Sequence, residues 1–166
     1  MDAPGADRAF RQLHEWRQAG FEIPLSINLS AHDLRDPDLN SRVRELFAKW
    51  RVEPRMVQFK LTERAVMDDA AGALATLNAL KEGGASLFID DFGIGYLSLS
   101  YLQKLPVDGI KIDQSFIIPM IEDSDSAMIV HSTIALAHNL EMAVVAEGVE
   151  SEQVWDRLAS AGCDVV

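Results

Sequence analysis

Residues 87–113, LFIDDFGIGYLSLSYLQKLPVDGIKID, decide the fold. The run Leu87-Phe88-Ile89 is uniformly apolar, as in a strand covered on both faces, and it ends at the paired carboxylates Asp90-Asp91. A glycine-containing turn spans Phe92 to Tyr96, and a short helix is predicted around Leu97 to Lys104. A second strand, Val107 to Ile112, ends at Asp113. Strand, helix and strand joined by short turns form one parallel βαβ unit.

The same alternation runs outward in both directions. Towards the N-terminus, Ala9, Phe10, Leu13 and Trp16 recur at helical spacing before Gly20. From Ile23 to Ser30 apolar and polar residues alternate, so Ser26, Asn28 and Ser30 share one face of a strand. Asp36 and Pro37 are expected to cap and open a helix carrying Leu39, Val43, Leu46, Phe47 and Trp50. In the strand after Pro54, Val57, Phe59 and Leu61 point one way and Gln58, Lys60 and Thr62 the other. A helix from about Asp69 to Lys81 is expected to bury Leu74, Leu77 and Leu80, with Gly83-Gly84 as its positive-φ exit. Towards the C-terminus, Ser124 is expected to cap a long helix carrying Ile129, Ile134, Leu136 and Leu140. Met142 to Ala146 reads as a strand, Gln153 to Ala161 as a helix with Val154, Trp155 and Leu158, and Val165-Val166 as the start of a further strand.

Two folds obey this order. An open doubly wound sheet places a Gly-rich phosphate loop after its first strand, and none follows Ile23 to Leu29. A (β/α)8 barrel places its chemistry at the C-terminal ends of many strands. That is where Asn28, Glu63, Asp90, Asp91, Asp113 and Glu147 fall, with Lys60 and Lys111 close by. The expected fold is therefore α/β, a TIM-like barrel with five strands and the start of a sixth, about five and a half βα units. A full barrel takes about 250 residues, so roughly a quarter or more is absent from these 166. The whole segment, 1–166, is expected to be a single domain.

Composition narrows the function. A formal charge of −11 excludes a broad electrostatic grip on DNA or RNA, which needs clustered Lys and Arg. Cys163 is the only cysteine, so neither a disulfide framework nor a thiolate metal cluster can form within the chain. No signal-peptide core and no apolar run near the roughly 20 residues that span a bilayer is present, which points to a cytoplasmic location without membrane insertion by this segment. The strand-end carboxylates are hard oxygen donors suited to Mg²⁺, Mn²⁺ or Ca²⁺. Any one of them taken alone is more simply a helix cap or turn former. Asp90-Asp91 is the sharpest signal, because adjacent carboxylates suit a pair of divalent ions about 3.5 to 4 Å apart.

The stretches INLSAHDLRDPDL, LTERAVMDD, IDDFGIGYLSLSYLQKLPVDGIKIDQSF and VVAEGVE resemble, in wording, order and spacing, the EAL-domain cyclic di-GMP phosphodiesterases over nearly all of the chain. The resemblance implies a barrel of EAL type, cyclic di-GMP as ligand, and Mg²⁺ or Mn²⁺ as cofactor. It implies metal binding by Asn28, Asp90, Asp91 and Glu147, with Lys111 orienting the attacking water, so that Lys111, Asp91 and Glu147 form the catalytic set. Glu63 is implied to stabilise the loop from Phe92 to Ser98, and Asp113 and Glu150 to lie near the ligand.

The chain departs from that pattern. The family's N-terminal Glu-Ala-Leu strand and C-terminal Gln-Gly-Tyr strand lie outside it. In the third strand the family reads Glu-x-Thr-Glu, its first Glu a metal ligand, whereas this chain has Lys60-Leu61-Thr62-Glu63. A Lys60 ammonium beside a divalent ion costs about 1 to 4 kcal/mol per unit charge. Metal binding is therefore expected to be weak or absent, with Lys60 pairing with Asp90. Ile94 and Leu97 replace a usual Thr and Ser, which offers a homodimer or protein partner an apolar contact. The expected function is a hydrolysis-impaired cyclic di-GMP receptor or protein-docking module. The alternatives are an active metal-dependent phosphodiesterase when full-length, and a remnant that binds no ligand.

Overall fold

The computed structural model describes residues 3–95 and 97–166. The chain divides after Leu87 into two compact units.

The first unit opens with helix α1 (Ala3–Gln18), followed by strand β1 (Leu25–Asn28) and helices α2 (Ala31–Leu34) and α3 (Leu39–Trp50). A 3-10 turn then leads into β2 (Val57–Thr62), α4 (Glu63–Met67) and α5 (Ala70–Glu82). β1 and β2 pair in parallel, with Leu25 opposite Val57 and Asn28 opposite Lys60. The expected alternation in β2 holds: Val57, Phe59 and Leu61 are buried, while Gln58, Lys60 and Thr62 lie half-buried on the other face. Phe10, Leu13, Leu39, Phe59, Leu61 and Leu77 fill the core of this unit. Phe10 meets the edge of Phe47 at 5.1 Å between centroids, and Asp7 accepts from both Lys49 and Trp50, so α1 is tied to α3.

Several expectations for this unit change. β1 is four residues long rather than eight, and Ile23 is 53% exposed. Pro24 has no N–H to extend the ladder backwards. At the other end Ser30 leaves the strand to cap α2: its hydroxyl accepts from the Asp33 N–H while Asp33 accepts from the Ser30 N–H, a reciprocal capping box. The next helix starts at Leu39 with Asp38 in the cap position, and Asp36 instead accepts from the Asp38 N–H and from Arg42. In α5, Ala73 joins Leu77 and Leu80 on the buried face while Leu74 is only half-buried, and the positive φ at its exit belongs to Gly84, not Gly83.

The second unit carries β3 (Ser86–Phe92), which the boundary cuts two residues in, then α6 (Leu99–Leu102), β4 (Gly109–Ile112) and α7 (Gln114–Ile117). A 3-10 turn, α8 (Ser124–Asn139), β5 (Ala143–Ala146) and α9 (Glu152–Ser160) complete it. β4 pairs in parallel with β3 on one side and β5 on the other. Val165 makes a parallel bridge to Val145, as the expected start of a sixth strand requires. Three corrections arise here. The helix expected over 97–104 contracts to four residues. Asp123, not Ser124, caps α8, accepting from the backbone N–H groups of Asp125 and Ser126. Ile129 and Trp155, expected on buried stripes, are 40% and 49% exposed, because α8 buries Ala127, Val130, Ile134 and Ala137, and α9 buries Val154 and Leu158.

Candidate functional site: an acidic cluster around Lys111

Adjacent residues of a regular strand point to opposite faces, so Asp90 and Asp91 would diverge if β3 were regular. It is not. Between the rungs Ile89–Ile110 and Phe92–Ile112, β3 advances three residues while β4 advances two. One extra residue in one strand is a β-bulge. Asp91 holds the left-handed conformation that accommodates it, with φ of 52°. Both carboxylates consequently turn to the same side. Glu147 arrives directly after β5, where its N–H donates to the Ile112 carbonyl at 3.3 Å. One carboxylate oxygen from each of Asp90, Asp91 and Glu147 lies within 4.8 Å of the others.

Lys111, on β4 between the two acidic strands, reaches into this cluster. Its Nζ lies 3.2 Å from Asp90 Oδ1 and also contacts Glu147 Oε1. Lys111 and Asp90 keep only 14% and 13% of their side-chain surface exposed, and Glu147 keeps 33%. Burial by itself would lower the Lys111 pKa, but the Glu147 and Asp90 carboxylates outweigh it and hold the ammonium above the ordinary lysine value.

The donor set suits a divalent cation. Opposite ligands on Mg²⁺ stand about 4.2 Å apart and those on Ca²⁺ about 5 Å apart, so oxygens within 4.8 Å of one another are close enough for Asp90, Asp91 and Glu147 to hold one such ion together.

The remaining expected residues are distributed as follows. In the first unit, Asn28 and Lys60 are rung partners on one face, and Ser26 and Gln58 on the same face are joined through side chains 3.2 Å apart. Asn28 also lines a cavity with Ser30, Asp33, Thr62, Arg64 and Asp68, and Arg35 forms an ion pair with Asp68. Asp33, Arg64 and Asp68 were not singled out from sequence, although Ser30-x-x-Asp33 carries a capping signature that marks one of them. Glu63 is 4% exposed at the first position of α4, whose cap is the Thr62 hydroxyl. In the second unit, Asp113 accepts from the Ser115 N–H at 2.9 Å and caps α7. Glu150 lines a shallow hollow with Val149, Ser151, Glu152 and Trp155. Ile94 is 59% exposed and Leu97 half-buried, while Tyr96, within the expected turn, lies outside the described residues.

Parallel βα units with carboxylates gathered at strand ends define a TIM-like barrel class with an acidic, cation-competent cluster. Within that class the chain belongs to the EAL-domain family, whose model, described as EAL domain, matches residues 6–166. It is 47% identical over 140 residues to an uncharacterized protein of Azorhizobium caulinodans, covering 84% of this chain and 19% of that protein. It is 38% identical over 159 residues to the bifunctional diguanylate cyclase/cyclic di-GMP phosphodiesterase MucR of Pseudomonas aeruginosa, covering 95% of this chain and 23% of that protein. The solved PaMucR phosphodiesterase in complex with c-di-GMP superposes with a TM-score of 0.90 at 38% identity, covering 95% of this chain and 64% of that one. The chain thus spans about a fifth of the length of these curated relatives. The α/β, TIM-like fold anticipated from the alternation is the observed one, and its EAL type is the one the resemblance implied. Among the described residues, no helix is long and apolar enough to cross a membrane.

Proposed function

We propose that this segment is a cyclic di-GMP-binding signalling module of the cytosol in which phosphodiester hydrolysis is impaired. The observation that carries the reading is Lys60: it stands where the family has a metal-binding Glu, and it shares a sheet rung with Asn28. Asn28, Asp90, Asp91 and Glu147 are the ligands proposed for Mg²⁺ or Mn²⁺. Such ions, when bound, lower the pKa of a water and absorb charge on phosphoryl oxygens. Lys111 orients the water, Glu63 supports the loop after β3, and Asp113 and Glu150 flank the nucleotide. The apolar Ile94 and Leu97 give that loop a contact for a second copy or a protein partner. Lys60 replaces one anion by one cation, so its charge acts twice against the metal, by about 1 to 4 kcal/mol for each unit.

The test uses the full polypeptide. Calorimetry should detect cyclic di-GMP binding, and turnover with Mg²⁺ or Mn²⁺ should be very weak, while Lys60→Glu should tighten Mn²⁺ at least tenfold. Robust turnover by the unaltered protein, or unchanged Mn²⁺ affinity in Lys60→Glu, would contradict the reading. The second reading, an active phosphodiesterase, is favoured by the complete Asp90, Asp91, Lys111 and Glu147 cluster, and the turnover assay decides between the two.

A further inference from the structure

The acidic cluster already contains a cation of its own. Three carboxylates of Asp90, Asp91 and Glu147 converge, and the Lys111 ammonium contacts two of them. Those two supply oxygens to the same group of donors that suits a divalent ion. An ion held by the same carboxylates would face an ammonium of like charge across a half-buried site, where such charges repel more strongly than in water. With Lys111 in place the three carboxylates and one ammonium sum to two negative charges. Exchanging the ammonium for a divalent ion leaves one.

We infer that Lys111 is a built-in counter-cation that competes with the divalent ion for Asp90 and Glu147, so that loading requires its ammonium to release them. Lys111 thereby sets how much free cation is needed to load the cluster. This inference rests on reading the three carboxylates as the cation site. Lys111 serves here as a positioning residue, with a cost and a benefit: it prevents three carboxylates from repelling one another when no ion is bound, and it weakens the ion when one arrives.

The test is Mn²⁺ binding, followed by electron paramagnetic resonance, in the full polypeptide and its Lys111→Met and Lys111→Gln variants. Loss of the ammonium should tighten Mn²⁺ by about tenfold or more. It should also lower the melting temperature without cation and enlarge the upshift that Mn²⁺ produces, since a ligand stabilises more the tighter it binds the folded state. Unchanged or weaker Mn²⁺ binding in variants that fold would overturn the competition. If neither variant folds, the unaltered protein still decides: titration with Mg²⁺, observed through the lysine side-chain ammonium resonances, should shift the Lys111 signal and speed its exchange with water. Mg²⁺ binding that leaves the Lys111 signal in place would equally refute it. Absence of cation binding in the unaltered protein and in both folded variants would reject the cation site itself, whereas equal binding in all three would reject only the role given to Lys111.

Discussion

Replacing Asp91 by glycine and, separately, by alanine isolates what the β3 bulge demands of the backbone. Both substitutions remove the carboxylate, so they differ only in the β-carbon. In an ordinary strand alanine is the more stable of the two by about 0.5 to 1 kcal/mol, since glycine loses more freedom on folding. Asp91 sits at φ 52°, inside the left-handed region. There a β-carbon costs roughly 1 to 2 kcal/mol, a penalty that Asp and Asn partly escape through local hydrogen bonds and glycine escapes altogether. Setting the two effects against each other, Asp91→Gly should be more stable than Asp91→Ala by up to about 1.5 kcal/mol, the reverse of the order in a regular strand. Urea unfolding measures the difference directly, and thermal unfolding should show a gap of up to about 6 °C for a chain of this length. Asp91→Asn should remain near the unaltered protein in stability while losing a charge from the cluster. An alanine variant more stable than the glycine variant, the order of a regular strand, would show that the bulge is not held in this conformation and would remove the reason given for the convergence of Asp90 and Asp91.

Three further outcomes are expected. Gly109→Ala should destabilise the protein by about 1 to 3 kcal/mol or more, because the new β-carbon would lie 2.5 Å from the Ala143 carbonyl oxygen and 2.5 Å from the Phe88 ring; a variant unfolding at the unaltered urea midpoint would contradict the packing of β4. Ser30→Ala should cost about 1 kcal/mol by opening the capping box of α2, read from the same unfolding curves and from faster amide exchange at Asp33. Asp164 is held below the ordinary carboxylate value, first by the His138 ring 2.9 Å away and then by the Val144 N–H. A depressed folded-state pKa contributes stability above the unfolded value of about 4 and loses it as pH falls through the folded one. Asp164→Asn should therefore flatten the acid limb of stability against pH below about 4, and an unaltered acid limb would refute the linkage.

Much of the molecule was legible in its residues because the relevant physics is local. The alternation of Val57, Phe59 and Leu61 with Gln58, Lys60 and Thr62 became the burial pattern of β2. The helical repeat around Phe10 and Leu13 became the buried face of α1. Gly20, placed by the sequence just after the first helical repeat, adopts the positive φ that ends a helix, as does Gly162 after α9. Strand ends were harder to place. Pro24 and the Ser30–Asp33 box shorten β1, and both signals are present in the sequence, but they compete there with a longer apolar alternation.

What the sequence determined alone was the order of βα units and the type of chemistry at their ends, since period, polarity and turn residues act over a few neighbours. What only the tertiary structure decided was how the carboxylates meet. That Asp90 and Asp91 face the same way depends on a register shift against β4, and a register exists only between strands. That Lys111 contacts Asp90 and Glu147 depends on β4 lying between β3 and β5. That Ile129 and Trp155 face outward depends on which stripe each helix turns to its neighbours: α8 buries Ala127, Val130, Ile134 and Ala137, and α9 buries Val154 and Leu158. Pairing and packing are relations between distant segments, and no single stretch of sequence carries them.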